Sequence, residues 1–248
     1  MFDFFKRKKD LSLIELLPIV TDLHSHILPG IDDGAPDIEA SLQLIKGIHA
    51  LGIRKTIATP HIISDLYRNT PEIINAALAE VKSACEAEQI DIEISAAAEY
   101  MLDDYFLHLL RKPEPLLTIH KNYILTEQSF ATPTENLHQL AFEIITVGYK
   151  PIMAHPERYF FYHQNYDAYR KLKDMGFLLQ VNLLSLAGYY GKPVSKAAKY
   201  LMNNNLADLV GTDMHHERHL ESLQNEDNLR TFEEFAGNKG FNDLSTLL

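Results

Sequence analysis

Short apolar runs alternate with helical patterns along most of the chain. The runs are mostly apolar, which is typical of strands buried on both faces of a parallel sheet. Seven of them predict strands over residues 19–23, 55–59, 92–97, 123–126, 151–154, 177–181 and 208–210. Strands that alternate with helices favour βα units, so the sequence predicts an α/β protein. Seven such units predict a closed or nearly closed barrel, with an open doubly wound sheet as the alternative.

Start and stop signals bound the helices between these strands. Pro36 stands at a predicted first turn, and Gly52 ends the apolar periodicity that follows it. Residues 70–72 (Thr-Pro-Glu) open a second helix, and residues 132–135 (Thr-Pro-Thr-Glu) open a third, which ends at Gly148. Further helices are predicted over residues 166–175, 195–202 and 220–235.

Composition limits the classes of function. A chain of 248 residues that is 46% hydrophobic is long enough to bury one large core, so residues 19–248 are predicted to form a single domain. Its net charge of −11 argues against a nucleic-acid partner, because phosphate backbones select basic faces. The single cysteine, Cys85, rules out an intramolecular disulfide and fits a reducing cytoplasm. Neither a secretory signal nor an apolar run long enough to span a bilayer is evident.

Residues 1–18 form an N-terminal extension with two interpretations. Phe2, Phe4 and Phe5 stand beside a basic run at residues 6–9, a combination that could contact an anionic membrane peripherally. Alternatively, the segment is a frayed tail followed by a short helix over residues 11–17 that packs across the barrel.

Histidines and acidic residues follow the predicted strands at their carboxyl ends. Six of the seven strands lead into such residues, namely His24 and His26, His61, Glu99, Glu127, His155, and Asp213 with His215. In α/β barrels this rim is where active sites are built. Histidines scattered over a surface would not fall at these positions, so the pattern predicts one shared site.

Ligand type and spacing point to a metal. His24 and His26 are two residues apart, so their rings lie on the same side of an extended segment, and Asp213 and His215 repeat this spacing. Imidazole combined with carboxylate suits Mn, Fe or Zn better than Ca or Mg, whose sites are richer in oxygen. We therefore predict a transition-metal site, with the native metal left open.

Five motifs carry a family resemblance. They are DLHSHILPGIDDG at residues 22–34, ATPH at 58–61, AEY at 98–100, AHPERY at 154–159 and TDMH at 212–215. In order and spacing they resemble the PHP superfamily. More closely, they resemble the manganese-dependent protein-tyrosine phosphatases of bacterial capsule and exopolysaccharide operons. The resemblance covers about residues 22–218 and implies a distorted (β/α)7 barrel with its metal site at the carboxyl ends of the strands.

The resemblance also implies roles for individual residues. Up to three divalent metals are implied, Mn²⁺ first, with Fe, Zn or Co as alternatives. The first metal would be held by His24, His26, Glu99 and Asp213, the second by Glu99, Glu127 and His155, and the third by Asp33, His61 and His215. Tyr67 and Arg68 resemble part of a family loop beside the pocket and would contact the substrate, or else they form a plain turn before the helix that starts at Thr70.

Position in the sequence suggests further roles. Arg158 follows His155 closely and is expected to bind the phosphoryl group in catalysis, with Arg218 as the weaker candidate. His216 is next to His215 and is a candidate for contact with the substrate.

The implied reaction is the hydrolysis of phosphotyrosine on a protein, namely a tyrosine autokinase that controls polysaccharide synthesis. A histidinol-phosphatase-like enzyme and an inactive metal-binding regulator remain alternatives, and a nuclease fits the acidic charge poorly. Cysteine-based phosphatase chemistry is excluded, because it needs an arginine six positions after the thiol and that position is Asp91. Cys85 is instead predicted to pack as a small apolar residue of a helix.

Several polar residues are not predicted to be metal ligands. His49, His108, His120, His138 and His163 lack strand-end positions and are predicted to be surface or core residues. His219 is treated in the same way, although it and His216 lie close enough in sequence to Asp213 to touch a substrate. Asp32 is expected either to orient a ligand or simply to shape a turn.

Overall fold

A computed structural model describes residues 19–236 and 240–246, so the predictions made for residues 1–18 lie outside the described residues. Its strands are β1 (Thr21–Ser25), β2 (Lys55–Ala58), β3 (His61–Ile62), β4 (Glu93–Ala96), β5 (Glu99–Met101), β6 (Tyr123–Glu127), β7 (Lys150–Ala154), β8 (Leu178–Asn182) and β9 (Leu209–Gly211). Its helices are α1 (Ile38–Ala50), α2 (Pro71–Ala87), α3 (Asp104–Leu110), α4 (Leu137–Thr146), α5 (Asp167–Asp174), α6 (Leu183–Ala187), α7 (Lys192–Asn203), α8 (Glu217–Leu223) and α9 (Glu226–Ala236). Short 3-10 helices cover Pro156–Arg158, Phe160–Tyr162 and Leu244–Thr246.

The strands pair in parallel in two sheets, which confirms the predicted α/β class. One sheet has the order β1-β2-β4 and the other has the order β3-β5-β6-β7-β8-β9. Two short strands, β3 and β5, were not predicted. Each follows a predicted strand after two residues, Thr59 and Pro60 after β2 and Ala97 and Ala98 after β4, and lies in the other sheet. Proline cannot donate a ladder hydrogen bond, so the chain changes sheet where Pro60 interrupts the pairing.

The first and last strands are neighbours. The Asp213 amide donates to the His24 carbonyl at 2.8 Å, and the His26 amide donates to the Met214 carbonyl at the same distance. Side chains strengthen this contact, because Asp22 accepts hydrogen bonds from the Thr212 amide at 3.0 Å and from the Thr212 hydroxyl at 2.6 Å. Residues almost two hundred positions apart in sequence are thereby held at one place.

The predicted start of the third helix is wrong. Residues 132–135 lie before α4, which begins at Leu137 after Asn136 adopts a left-handed backbone conformation. Thr134 donates its amide to the Gln128 side chain at 3.0 Å, and this bond competes with helix formation. The helix predicted over residues 220–235 is two helices, because Asn225 accepts the amides of Asp227 and Asn228 and starts α9.

Two apolar clusters support the strands. The larger lies between strands and helices, and includes Ile45 of α1 and Val81 of α2. The smaller joins five strands through Leu23, Ile57, Leu125, Ile152 and Leu209, with further members at Ala97, Ile119, Tyr123 and Ala154. In the described residues, none of the helices has both the length and the apolar character needed to cross a bilayer.

Candidate active site

The nine predicted metal ligands converge on one place at the carboxyl ends of the strands. They form four overlapping groups, and within each group the ligand atoms lie within 4.8 Å of one another. The groups are His24-His26-Asp213, His24-Glu99-His155, His61-Glu99-Glu127 and His26-Asp33-His61-His215. The structure therefore brings together residues that span most of the chain.

Glu99 stands at the centre of the cluster and is fully buried. Its Oε2 atom lies 3.2 Å from His24 Nε2 and 3.2 Å from His61 Nδ1. Its Oε1 atom lies 3.0 Å from His155 Nε2. Oε2 also lies 3.4 Å from His26 Nε2. One carboxylate thus faces four imidazoles with its two oxygens, and it would suit a ligand shared between cations.

The outer part of the cluster contains Asp33, His61 and His215. Asp33 Oδ1 lies 3.4 Å from His61 Nε2 and 3.6 Å from His215 Nε2. The grouping implied by family resemblance placed Glu127 with His155, whereas Glu127 Oε1 lies 2.9 Å from His61 Nδ1. Which metal each residue would hold thus stays a prediction.

Neighbouring polar side chains fix the orientation of two histidines. His24 Nδ1 lies 2.7 Å from Gln180 Oε1, and His26 Nδ1 lies 2.8 Å from Asp32 Oδ2. With these ring nitrogens engaged, Nε2 of each ring faces the cluster, as in metal sites whose histidines are held by outer partners. Asp32 also accepts the Gly34 amide at 2.9 Å, so it both orients His26 and shapes the turn.

Backbone conformation at two of the predicted ligands is unusual. His155 has φ 34° and Asp213 has φ 52°, in the left-handed region. Such conformations cost on the order of 1–3 kcal/mol and concentrate at functional sites. His155 directly follows β7 and Asp213 comes two residues after β9, so in both cases the left-handed residue lies where the chain leaves the sheet beside the cluster.

Gly34 and Gly211 let the backbone approach the ligands closely. A Cβ atom on Gly34 would lie 2.0 Å from the His26 carbonyl oxygen. A Cβ atom on Gly211 would lie 2.8 Å from His24 Cβ and 2.8 Å from Gln180 Nε2. Larger residues at either position would displace the first two histidines.

The charges of the cluster favour protonated imidazoles. Burial acts to lower the pKa of His24, but the carboxylates of Glu99 and Asp213 outweigh it and raise this pKa to about 10. The pKa of His61 also rises to about 10, because Glu99 and Glu127 outweigh the effect of its burial. Burial and the neighbouring Glu99 raise the pKa of Glu127. The buried carboxylates of the cluster thus require nearby cations, which protonated imidazoles supply here and which bound metal ions would supply in their place.

The residues present fit bound metal ions. His61 Nδ1, Glu99 Oε2 and Glu127 Oε1 are buried, and none makes a hydrogen bond of acceptable geometry, although they lie about 3 Å apart. All three belong to a single group of converging ligand atoms. Buried polar atoms without hydrogen-bond partners are uncommon and call for an explanation such as an ion.

A cavity of about 270 Å³ opens over the cluster, and Arg158 lies in its wall. Arg158 Nη1 donates to Asp213 Oδ2 at 2.7 Å. Its guanidinium carbon lies 4.7 Å from the ring centroid of Phe130 and 4.3 Å from that of Tyr190. The aromatic rings therefore hold the guanidinium at the cavity.

The other predicted catalytic and substrate-contacting residues are placed differently. His216 is exposed, lines the cavity and caps α8 through its contact with the His219 amide. Tyr67 stacks on His61 with ring centroids 5.8 Å apart. Arg218 and Arg68 are both exposed, and neither is among the residues that line the cavity.

Sequence reasoning missed part of the site. Gln180 and Asn182 end β8, the one predicted strand without a histidine or an acid, and Asn182 Nδ2 donates to Asp213 Oδ2 at 2.7 Å. Two amides at alternating positions after an apolar run were a usable signal. Phe130 and Tyr190 had no signal, because their contacts with Arg158 depend on loop packing. His219 was not missed, since its position in the sequence near Asp213 had suggested contact with a substrate, and it lines the cavity.

Cys85 takes no part in the site. It is buried within α2, as predicted, and packs in the larger apolar cluster. Burial and, to a lesser extent, Glu88 raise the pKa of its thiol, which is the opposite of what nucleophilic catalysis requires.

Comparison with known proteins identifies the family. Residues 20–239 match the family model described as capsular polysaccharide synthesis, CpsB/CapC. The tyrosine-protein phosphatase YwqE of Bacillus subtilis is 31% identical over 194 residues, which cover 78% of this chain and 76% of YwqE. The tyrosine-protein phosphatase CpsB of Streptococcus pneumoniae is 31% identical over 201 residues, covering 78% and 82%.

A solved structure agrees with the sequence comparison. It comes from work on YwqE of Bacillus subtilis and CpsB of Streptococcus pneumoniae, described as unique metal-dependent tyrosine phosphatases. It aligns with a TM-score of 0.79 and 29% identity over 89% of each chain. The motifs, the fold and the family match agree, and the chain belongs to the CpsB/CapC family of capsular polysaccharide synthesis.

Proposed function

We propose that this protein is a metal-dependent tyrosine-protein phosphatase of capsule or exopolysaccharide synthesis. The observation that carries the proposal is the convergence of nine histidine and carboxylate side chains below a cavity that contains Arg158. The relatives named tyrosine-protein phosphatases support the reaction class. The proposed substrate is a tyrosine-phosphorylated protein, in particular a bacterial tyrosine kinase, and the proposed location is the cytoplasm.

We also propose that residues 19–248 form one distorted (β/α)7 barrel of the PHP type. Counting β2 with β3 and β4 with β5 gives seven strands, and the hydrogen bonds between residues 24–26 and 213–214 join the first to the last. The apolar cluster shared by five strands is what the filled interior of such a barrel requires.

The proposed metal ligands are the nine residues of the cluster, and Mn²⁺ is the first candidate. Imidazole and carboxylate donors also accept Fe, Zn or Co. Bound divalent cations supply an activated water nucleophile at neutral pH and neutralise charge on a phosphoryl group. The protein's own part is to keep Nε2 of His24 and His26 facing inward through Gln180 and Asp32.

Arg158 is the proposed ligand of the phosphoryl oxygens. Its guanidinium has a fork of donors that matches phosphate geometry, and only one terminal nitrogen is engaged by Asp213. Phe130 and Tyr190 restrict the motion of the guanidinium, so it loses little conformational freedom when the substrate binds. A tyrosine phenolate leaves readily, so the protein needs no strong acid at the leaving group. Arg218 stays the weaker candidate for the same task.

A phosphorylated side chain is favoured over a small metabolite because the relatives are named tyrosine-protein phosphatases. The cavity over the cluster has a volume of about 270 Å³. Phe130 at its edge is 42% exposed, and Tyr67, Arg68 and His216 are proposed to contact the rest of the substrate. A histidinol-phosphatase-like reaction is the second candidate, since it would use the same ligands.

Hydrolysis of three substrates tests the proposal. A phosphotyrosine peptide, a phosphoserine peptide and histidinol phosphate are compared with added Mn²⁺ and with a chelator. We expect metal-dependent turnover that favours the phosphotyrosine peptide. His155→Ala should abolish it, whereas His138→Ala, which changes an exposed histidine of α4, should leave it intact. A preference for histidinol phosphate would indicate a metabolic phosphatase. Absence of turnover with every metal would indicate a metal-binding protein without phosphatase activity.

A further inference from the structure

A second cavity, of about 680 Å³, lies beside α7 and has a cationic wall. Lys192, Lys196 and Lys199 of α7 line it, spaced four and three residues apart and so on one face of the helix. The remaining lining residues are Tyr166, Ala187, Gly188, Ser195, Tyr200 and Asn203. We call this cavity the lysine groove.

The charge of the lysine groove is unlike that of the whole protein. The chain has 34 acidic and 23 basic residues, yet the described lining of the groove contains three lysines and no carboxylate. Lys199 Nζ lies 5.5 Å from the centroid of Phe235, and in the described part of the chain none of the three lysines forms an ion pair. A local cluster of uncompensated cations attracts an anionic partner.

The floor of the lysine groove offers apolar contact as well as charge. Tyr166 and Tyr200 lie with ring centroids 4.5 Å apart, and Tyr200 comes from the same helix as the lysines. Ser195 donates its hydroxyl to the Leu186 carbonyl at 3.1 Å, which fixes the start of α7 against α6. The groove therefore combines aromatic contact area with long lysine side chains, whose ammonium groups reach into solvent.

The lysine groove adjoins the candidate active site through one short segment. Tyr190 lines the catalytic cavity and contacts Arg158, while Gly188 and Lys192, two residues to either side of it, line the groove. Two residues span at most about 7 Å of chain. The backbone of Tyr190 therefore lies within about 7 Å of residues that line the groove, a distance that two or three extended residues of a peptide cover.

We propose that the lysine groove binds acidic side chains that flank the phosphotyrosine of the protein substrate. This inference rests on the phosphatase function proposed above and adds a preference in sequence. The distance from Lys192 to Lys199 along the helix is about 10 Å at 1.5 Å per residue. An extended segment of three to four residues covers the same length, so a short run of glutamates or aspartates fits the three cations.

Two phosphotyrosine peptides test the groove, one flanked by glutamates and the other by glutamines. Steady-state kinetics give kcat and KM, and fluorescence anisotropy gives Kd. We expect the wild-type protein to prefer the acidic peptide through KM and Kd, and salt to reduce the preference. The double variant Lys192→Glu/Lys196→Glu should weaken binding of the acidic peptide by about tenfold and leave the glutamine peptide nearly unchanged.

A matched control separates the groove from net charge. Lys82→Glu/Lys112→Glu changes two exposed lysines of the chain by the same charge and should keep the preference. Hydrolysis of p-nitrophenyl phosphate, which has no flanking residues, should be equal in all three proteins.

The outcomes distinguish the two proposals. Equal Kd values for the two peptides in the wild type, or the same loss in the control variant, would overturn the groove as a peptide site. Groove-dependent binding of anionic vesicles without discrimination between the peptides would do the same. Absence of turnover with every substrate, together with groove-dependent binding of the acidic peptide, would refute the phosphatase function and support the groove.

Discussion

Arg158 and Asp213 form a 2.7 Å ion pair at the boundary between the cavity and the ligand cluster. The arginine side chain is 24% exposed, whereas the aspartate is almost fully buried. The pair thus connects the residue proposed to bind phosphate with a proposed metal ligand. We therefore expect the Arg158–Asp213 ion pair to link the binding of phosphate at Arg158 to the charge of the ligand cluster.

The guanidinium fork of Arg158 should matter more than its charge. We expect Arg158→Lys to lower kcat by about 10²–10³-fold, because an ammonium cannot make two parallel hydrogen bonds to a phosphoryl group. Kinetics with the phosphotyrosine peptide measure the effect. Arg218→Ala is the comparison, since Arg218 is exposed outside the cavity lining and should lose far less. A larger loss in Arg218→Ala would reverse the assignment of the two arginines.

Phe130 should hold Arg158 in place. Its ring lies 5.5 Å from that of His155 and 4.7 Å from the guanidinium carbon of Arg158, so Phe130→Ala removes a wall from both. We expect kcat/KM to fall by about tenfold, because Arg158 would lose one cation–π contact and the orientation that this contact gives its guanidinium. Phe142→Ala, at a ring that is 65% exposed on α4, should leave kcat/KM unchanged. If Phe130→Ala and Phe142→Ala changed kcat/KM equally, Phe130 would have no specific role in positioning Arg158.

The close approach at Gly34 should be visible in stability. Gly34→Ala places a methyl group 2.0 Å from the His26 carbonyl oxygen, and overpacking of this kind costs about 1–3 kcal/mol. We expect a lower Tm and weaker metal binding, measured by thermal unfolding with and without Mn²⁺. Gly240→Ala, where a Cβ atom would have nothing within 4 Å, is the matched control. A Tm equal to that of the control would contradict the predicted clash.

Metal binding should release protons. The pKa values of His24 and His61 are raised to about 10, so both rings carry a proton at neutral pH, and a metal ligand must be neutral. Metal affinity should therefore rise with pH and fall as pH drops, by about tenfold per pH unit for each proton displaced. Calorimetric titration of chelator-treated protein with Mn²⁺, in buffers of different ionisation enthalpy, counts the protons. A heat that is independent of buffer would contradict proton displacement.

The ligand cluster was predictable from sequence because strand ends are visible as the ends of apolar runs. His61, Glu99 and His155 each follow such a run, and parallel strands bring their carboxyl ends to the same edge. The two short strands β3 and β5 were missed. Pro60 before β3 was a usable signal of a break, whereas Ala97 and Ala98 before β5 carry none. The aromatic contacts of Arg158 could not be predicted either, because Phe130 and Tyr190 lie in loops that are far apart in sequence.

The pairing of the first strand with the last has a consequence for synthesis of the protein. His24 and His26 leave the ribosome early, but their partner Asp213 is made only after almost two hundred further residues. Until residues 213–215 are made, the nascent chain contains histidines and carboxylates that are buried in the folded protein but whose site is incomplete. Premature termination before residue 213 should yield a product that retains seven of the nine proposed ligands and still cannot assemble the cluster.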